Sequence, residues 1–150
     1  VGLLYLFFLG NIMTLANTRS GFDLEATRAA LVRIIDHLTT QKKQSRGDNG
    51  CLYRGPENCM CAIGVLIPDT MYHECLEGGS IYRLKYQDPV SEIFKHLKTD
   101  LLNDLQSYHD NAVTASHEAY SYAAWLAGAE RSSPERLMSA LAMKHHLGAM

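Results

Sequence analysis

The stretch Cys51-Leu-Tyr-Arg-Gly-Pro-Glu-Asn-Cys-Met-Cys-Ala-Ile-Gly-Val-Leu-Ile-Pro-Asp69 decides how this chain is read. It holds three of the four cysteines. Two short apolar runs, Cys51–Arg54 and Cys59–Leu66, flank the turn-forming residues Gly55-Pro56-Glu57-Asn58. Such a pattern predicts a β-hairpin. A two-stranded unit is marginal in water, so it must pack on helices. Pro68 ends the second strand, Asp69 offers a cap for a short helix running to Leu76, and Gly78-Gly79 stops it.

On both sides of this stretch the chain reads as amphipathic helix. Leu24, Thr27, Leu31, Ile34, Ile35 and Leu38 mark one face of a first helix over about 24–40, with Asp23 and Ser20 as cap candidates. Asp48-Asn49-Gly50 is turn chemistry that closes a polar loop. Asp88-Pro89 reads as a capping acid followed by proline at the first helical position. Val90, Phe94, Leu97, Leu101, Leu105, Tyr108 and Ala112 then form a stripe over 89–112, with a break expected near Thr99-Asp100. Two further helices are predicted, over about 117–129 and from Ser133-Pro134-Glu135 to Gly148. The expected fold is mostly α with one small β-hairpin (α+β), a compact domain of about five helices. Residues 17–150 form the globular domain, and residues 1–16 an apolar N-terminal extension. Val1–Leu9 is too short for a membrane span, which takes ~20 residues. It has the length of a signal-peptide core without a basic flank, which keeps secretion open. Met13 as a natural start is the other alternative.

A chain of 150 residues with 47% apolar and 20% charged residues has the composition of a folded domain. A formal net charge of −2 argues against a sequence-independent DNA binder, which shows a basic excess or stripe, and no sequence-specific nucleic-acid partner is expected. The basic cluster Lys42, Lys43 and Arg46 reads as a solvated connector. The signatures of serine hydrolases, P-loops and dinucleotide folds are not found. Cys59 and Cys61, two apart on a predicted strand, share a face. They read as buried thiols in a reducing compartment, with no cofactor required. The alternatives are disulfides, or a zinc module or enzyme using a site drawn from Cys51, Cys59, Cys61, His73 and Cys75, whose spacing lacks the paired Cys-x-x-Cys form. Tyr53 and Arg54 on the rigid turn suit a small anionic ligand or nucleotide, a planar donor fork beside an aromatic ring. Arg83 with Tyr82, and Lys85 with Tyr86, repeat that pairing. His109-Asp110 resembles half of a His…His-Asp…Asp metal set. His73 or His96 would serve upstream, but Asp110 is the last aspartate, so no fourth ligand follows. The plainer expectation is that Asp110 orients the His109 ring at the edge of the stripe.

Cys51–Asp69, together with Leu105-Gln106-x-x-His109-Asp110, resembles a pattern in small phage and prophage proteins that carry no assigned activity. The resemblance covers about a third of the chain. It implies a viral accessory protein, cytoplasmic in the host cell, and supplies no catalytic residues. The functional expectation is a non-enzymatic protein that binds a host macromolecule, with counter-defence as one use. Homo-oligomerisation is also expected, from the apolar run at the N-terminus and from Tyr108, Tyr120, Tyr122 and Trp125.

Overall fold

The computed structural model describes residues 21–110 and 134–150. Among these are five α-helices and one antiparallel hairpin, the mostly helical α+β architecture that the sequence predicts. Helix α1 spans Leu24–Gln41. The Asp23 carboxylate accepts from the Ala26 N–H at 2.9 Å, satisfying one of the amides that a helix start leaves without a partner. Its apolar face, Ala30, Leu31, Ile34, Ile35 and Leu38, is buried. Lys42 ends the helix in the left-handed region (φ 52) and returns its N–H to the Leu38 carbonyl.

The hairpin lies upstream of its expected place. Strands β1 (Arg46–Gly47) and β2 (Gly50–Cys51) pair Arg46 with Cys51 and Gly47 with Gly50, across the turn Asp48-Asn49. Of the expected Cys51–Arg54 and Cys59–Leu66 pairing, one bridge between Arg54 and Met60 remains. Glu57 and Asn58 both take positive φ, and Cys61 through Gly64 are buried without alternation. A continuous apolar run does not distinguish a buried strand from a buried helical turn. Here the core surrounds it on all sides, and it coils into a 3-10 turn at Gly64–Leu66 against α1.

The helix expected from Asp69 to Leu76 is also corrected. Only Glu74–Leu76 forms a 3-10 turn, and His73 caps it by accepting the Cys75 N–H. Asp69 instead pairs with Arg54. Helix α2 follows at Ile81–Leu84, α3 at Ser91–Phe94 and α4 at Thr99–Asp110. Asp88 does not cap through a backbone amide. Its carboxylate accepts the Ser91 hydroxyl.

The predicted stripe is buried from Val90 to Tyr108, although the helix breaks between Phe94 and Thr99. The start of α1 satisfies the backbone in that break. The His96 carbonyl accepts the Asp23 N–H at 2.7 Å, and the Lys98 N–H donates to the Thr27 hydroxyl at 3.3 Å. Helix α5 covers Pro134–Lys144 and packs on α1, ending short of the expected Gly148. The chain after it is held by Arg28, which donates to the carbonyls of Leu147 and Ala149 at 2.7 and 2.9 Å. Asp104 on α4 pairs with both Lys144 and His145. The expected helix over 117–129, residues 1–16, and Ala112, Tyr120, Tyr122 and Trp125 lie outside the described residues. No helix among the described residues is long and apolar enough to cross a membrane.

Candidate functional site

The last turn of α4 and the end of β2 meet at one place. Helical spacing puts Gln106, His109 and Asp110 on the same side of α4, facing Cys51 on β2. The Gln106 amide nitrogen donates to Cys51 Sγ at 3.2 Å and to Asp110 Oδ2 at 2.6 Å, so one side chain orients both. Its carbonyl oxygen accepts the Ile63 N–H at 3.3 Å, which fixes which end of the amide faces the pair. One donor atom each from Cys51, His109 and Asp110 lies within 4.8 Å of the other two. Cys61 neighbours Cys51, and its sulfur accepts the Gly64 N–H at 3.3 Å.

Burial and neighbours set the charge state. The Cys51 thiol is held far above its ordinary range by the neighbouring Cys61, then by burial, then by Asp110. It is therefore a thiol at neutral pH and a poor nucleophile in that form. Burial raises the Asp110 carboxyl, against the opposing pull of Cys51, Gln106 and Arg46. Asp110 Oδ1 is buried and has no hydrogen-bond partner among the described residues.

His109 is fully buried, and its Nε2 accepts the Ser45 amide N–H at 3.1 Å. A neutral ring accepting there carries its proton on Nδ1. Burial, then the neighbouring His37, lowers the ring from about 6.5 to about 4. A histidine held neutral in the fold but free to protonate when unfolded stabilises the protein above its unfolded pKa. That stability is lost as pH falls toward the folded value. Stability is therefore expected to drop by about 2 kcal/mol between about pH 7 and about pH 5. The raised Asp110 opposes this drop, because protonation favours its folded form. Urea unfolding at a series of pH values checks it. The drop should steepen in Asp110→Asn, and a flat profile in that variant would contradict the assignment.

A cleft of about 230 Å³ opens onto this cluster, lined by Cys51, Tyr53, Glu77, Gly78, Gly79, Ile81, Gln106 and Asp110. Glu77 builds its far wall. It accepts the N–H groups of Tyr53 and Arg54 at 2.9 and 3.0 Å and the Tyr72 hydroxyl at 2.9 Å. The Tyr53 hydroxyl donates to the Gly79 carbonyl at 2.9 Å.

The structure thus brings Tyr53, His109 and Asp110 together with Cys51, and separates the other candidates. Arg54 turns inward: it donates to Asp69 Oδ1 at 2.7 Å and the Ile67 carbonyl at 2.6 Å, with its guanidinium 5.1 Å from the centre of the Tyr72 ring. An anion at Arg54 would compete with Asp69 for that fork. Arg83 is exposed and bonds Gln87 and the Cys75 carbonyl. The five-member set Cys51, Cys59, Cys61, His73 and Cys75 does not assemble. Among the described residues the convergent donors are Cys51, His109 and Asp110, and His73 and Cys75 are exposed elsewhere. Ser45, Glu77 and Gln106 were missing from the predicted site residues. Gln106 alone had a signal, its helical spacing to His109 and Asp110.

A second surface feature lies between α2 with the turn after it, the start of α4 and the residues before α1. Tyr82 is 50% exposed and Tyr86 is 86% exposed. With Lys85, Lys98, Asp100 and Phe22 they line an open groove of about 480 Å³. The Tyr82 hydroxyl reaches Asp100 at 3.3 Å, and the Lys98 ammonium sits 5.4 Å from the centre of the Phe22 ring. Compared with family models, with curated proteins and with solved structures, the chain matches none.

Proposed function

We propose that this chain is a phage-type accessory protein that acts by binding a host protein, through the groove beside α2. The carrying observation is the pair Tyr82 and Tyr86, exposed beside Lys85 and Lys98. Tyrosine brings large contact area at low entropic cost, and it is enriched among the residues that dominate protein interfaces. Basic side chains at the rim steer an acidic partner and hold its register. Counter-defence is the use that the resemblance to phage proteins suggests. The cleft at Cys51 supports a scaffolding role for the thiol-bearing segment. Its thiol is held protonated, and the His109 lone pair at Nε2 is already taken by Ser45.

Capture from host lysate on the immobilised chain tests the proposal. The wild type is expected to retain a saturable protein partner. Tyr82→Ala/Tyr86→Ala, with both changes on the exposed face, should lose it while keeping its far-UV circular dichroism. Truncating one interface-centre tyrosine costs about 2 kcal/mol or more, roughly 30-fold in affinity. A wild-type chain that retains no such partner, or a double variant that retains it undiminished, overturns the assignment. If light scattering shows a dimer that the double variant dissolves, the groove is a contact between copies of this chain, and the host-protein reading falls.

A further inference from the structure

We infer that the amino end of α4 is a binding site for a phosphate group. The partner protein carries that phosphate on a side chain, which rests on the reading of the groove given above, whereas the phosphate site stands without it. The first N–H groups of a helix have no acceptor within it and form its positive pole. A capping side chain ordinarily takes one of them, but Lys98, the residue before α4, has no side-chain oxygen to do so. Its ammonium is held by the His145 carbonyl at 3.0 Å, and its N–H donates to the Thr27 hydroxyl at 3.3 Å. The N–H groups of Thr99, Asp100 and Leu101 have no acceptor among the described residues.

A bare helix start attracts any anion weakly, and two side chains make this one specific. Thr99 lines the groove and is only 6% exposed, and its hydroxyl oxygen is buried with no hydrogen-bond partner among the described residues. That state costs free energy, which a bound acceptor relieves. Lys85 lines the same groove, half-buried, with no ion pair or hydrogen bond among the described residues. An ammonium partly withdrawn from water and left without a counter-charge favours an anion beside it.

Three amides, one hydroxyl and one ammonium make five donor groups at this end of the groove. A phosphate monoester presents three strongly accepting oxygens, whereas a carboxylate has two, with about four acceptor sites in all. The donor set therefore suits phosphate better, as helix starts commonly do. Asp100 is the carboxylate in the lining, and it accepts the Tyr82 hydroxyl at 3.3 Å. Lys85 and Lys98 outnumber it, so this end of the groove stays positive. Loading requires the Thr99 side chain to turn its buried hydroxyl toward the anion. A phosphate carried by a protein also gains the contact area of Tyr82 and Tyr86, while inorganic phosphate has the donor groups alone.

Amide NMR of the full chain, titrated with sodium phosphate at constant ionic strength, tests the site. Saturable shifts are expected at Thr99, Asp100 and Leu101, and chloride should not reproduce them. Lys85→Ala and Thr99→Val should each weaken phosphate binding about tenfold. Thr99→Val gives up no hydrogen bond in the free protein, so it should fold as well as the wild type. Asp100→Asn should bind phosphate more tightly, because a like charge is gone. Shifts that do not saturate, that chloride reproduces, or that survive Thr99→Val and Lys85→Ala undiminished overturn the site, as does weaker binding in Asp100→Asn. Capture from host lysate, untreated or treated with phosphatase, identifies the source of the phosphate. Phosphatase should reduce the partner retained on the wild type at least about tenfold, and so should Lys85→Ala. Capture undiminished by phosphatase removes the phosphorylated partner and leaves the groove reading standing. If the wild type retains no partner, the groove reading and the phosphorylated partner fall together, and the phosphate titration still decides the site. The variant Tyr82→Ala/Tyr86→Ala should still bind inorganic phosphate.

Discussion

Gly64→Ala is expected to destabilise the protein by at least about 3 kcal/mol, the top of the range for overpacking a core. A β-carbon at Gly64 would collide with the carbonyl oxygen of Tyr53 and stand 2.7 Å from its carbonyl carbon and 3.0 Å from its α-carbon. All three obstacles are backbone atoms, so no side chain can rotate away to make room. The Tyr53 backbone is itself anchored, because its N–H and that of Arg54 both donate to Glu77. On the other side, the 3-10 turn that carries Gly64 is pressed against α1. Urea unfolding of the two proteins measures the effect. A loss below about 1 kcal/mol would mean that the close approach of these two segments is not as described. Because Tyr53 lines the cleft, the same variant should also weaken any ligand bound beside Cys51.

Glu77→Ala should cost about 4 kcal/mol. One half-buried carboxylate accepts two backbone N–H groups and the Tyr72 hydroxyl, all at 3.0 Å or less. Hydrogen bonds to a charged group contribute about 1.5–3 kcal/mol each, and buried donors left without an acceptor add their desolvation. Solvent entering at this partly exposed site keeps the sum below three full terms. Glu77→Gln should fall between, at about 2 kcal/mol, because its amide keeps one acceptor oxygen and turns an NH2 toward a donor. Urea unfolding gives the ranking, and hydrogen exchange at the Tyr53 and Arg54 amides locates it. Equal stability of all three proteins would show that water replaces the carboxylate without loss.

Several elements were legible because their causes are local. The first helix follows from the Asp23 cap and the stripe of Leu31, Ile34, Ile35 and Leu38, and it runs within a residue of the expected span. The stripe from Val90 to Tyr108 is buried as its spacing requires. The break in it sits a few residues earlier than expected, because the groups that stabilise it, Asp23 and Thr27, come from another helix. The apolar runs point to a hairpin at Cys51–Leu66, whereas the ladder forms around Asp48-Asn49, where turn chemistry is present without apolar runs beside it. Arg54 had the chemistry of an anion site, and its neighbours in space, Asp69, Ile67 and Tyr72, turned it into an internal clamp.

The metal-donor set shows the same limit at the level of chemistry. Proximity in sequence groups the cysteines with each other and leaves His109-Asp110 apart. The fold divides the first group and joins Cys51 to the second, with Gln106 between them.

By itself the sequence determined which segments coil into helices, which faces they bury, and that one small hairpin accompanies them. Periodicity and capping act over a few residues and are written into the chain. Only the tertiary structure decided that Cys51 meets His109 and Asp110, that Glu77 organises the loop before it, and that Tyr86 stays in water. Those outcomes follow from the docking of segments far apart in the chain. Their contact energies depend on relative placement, which no local pattern encodes.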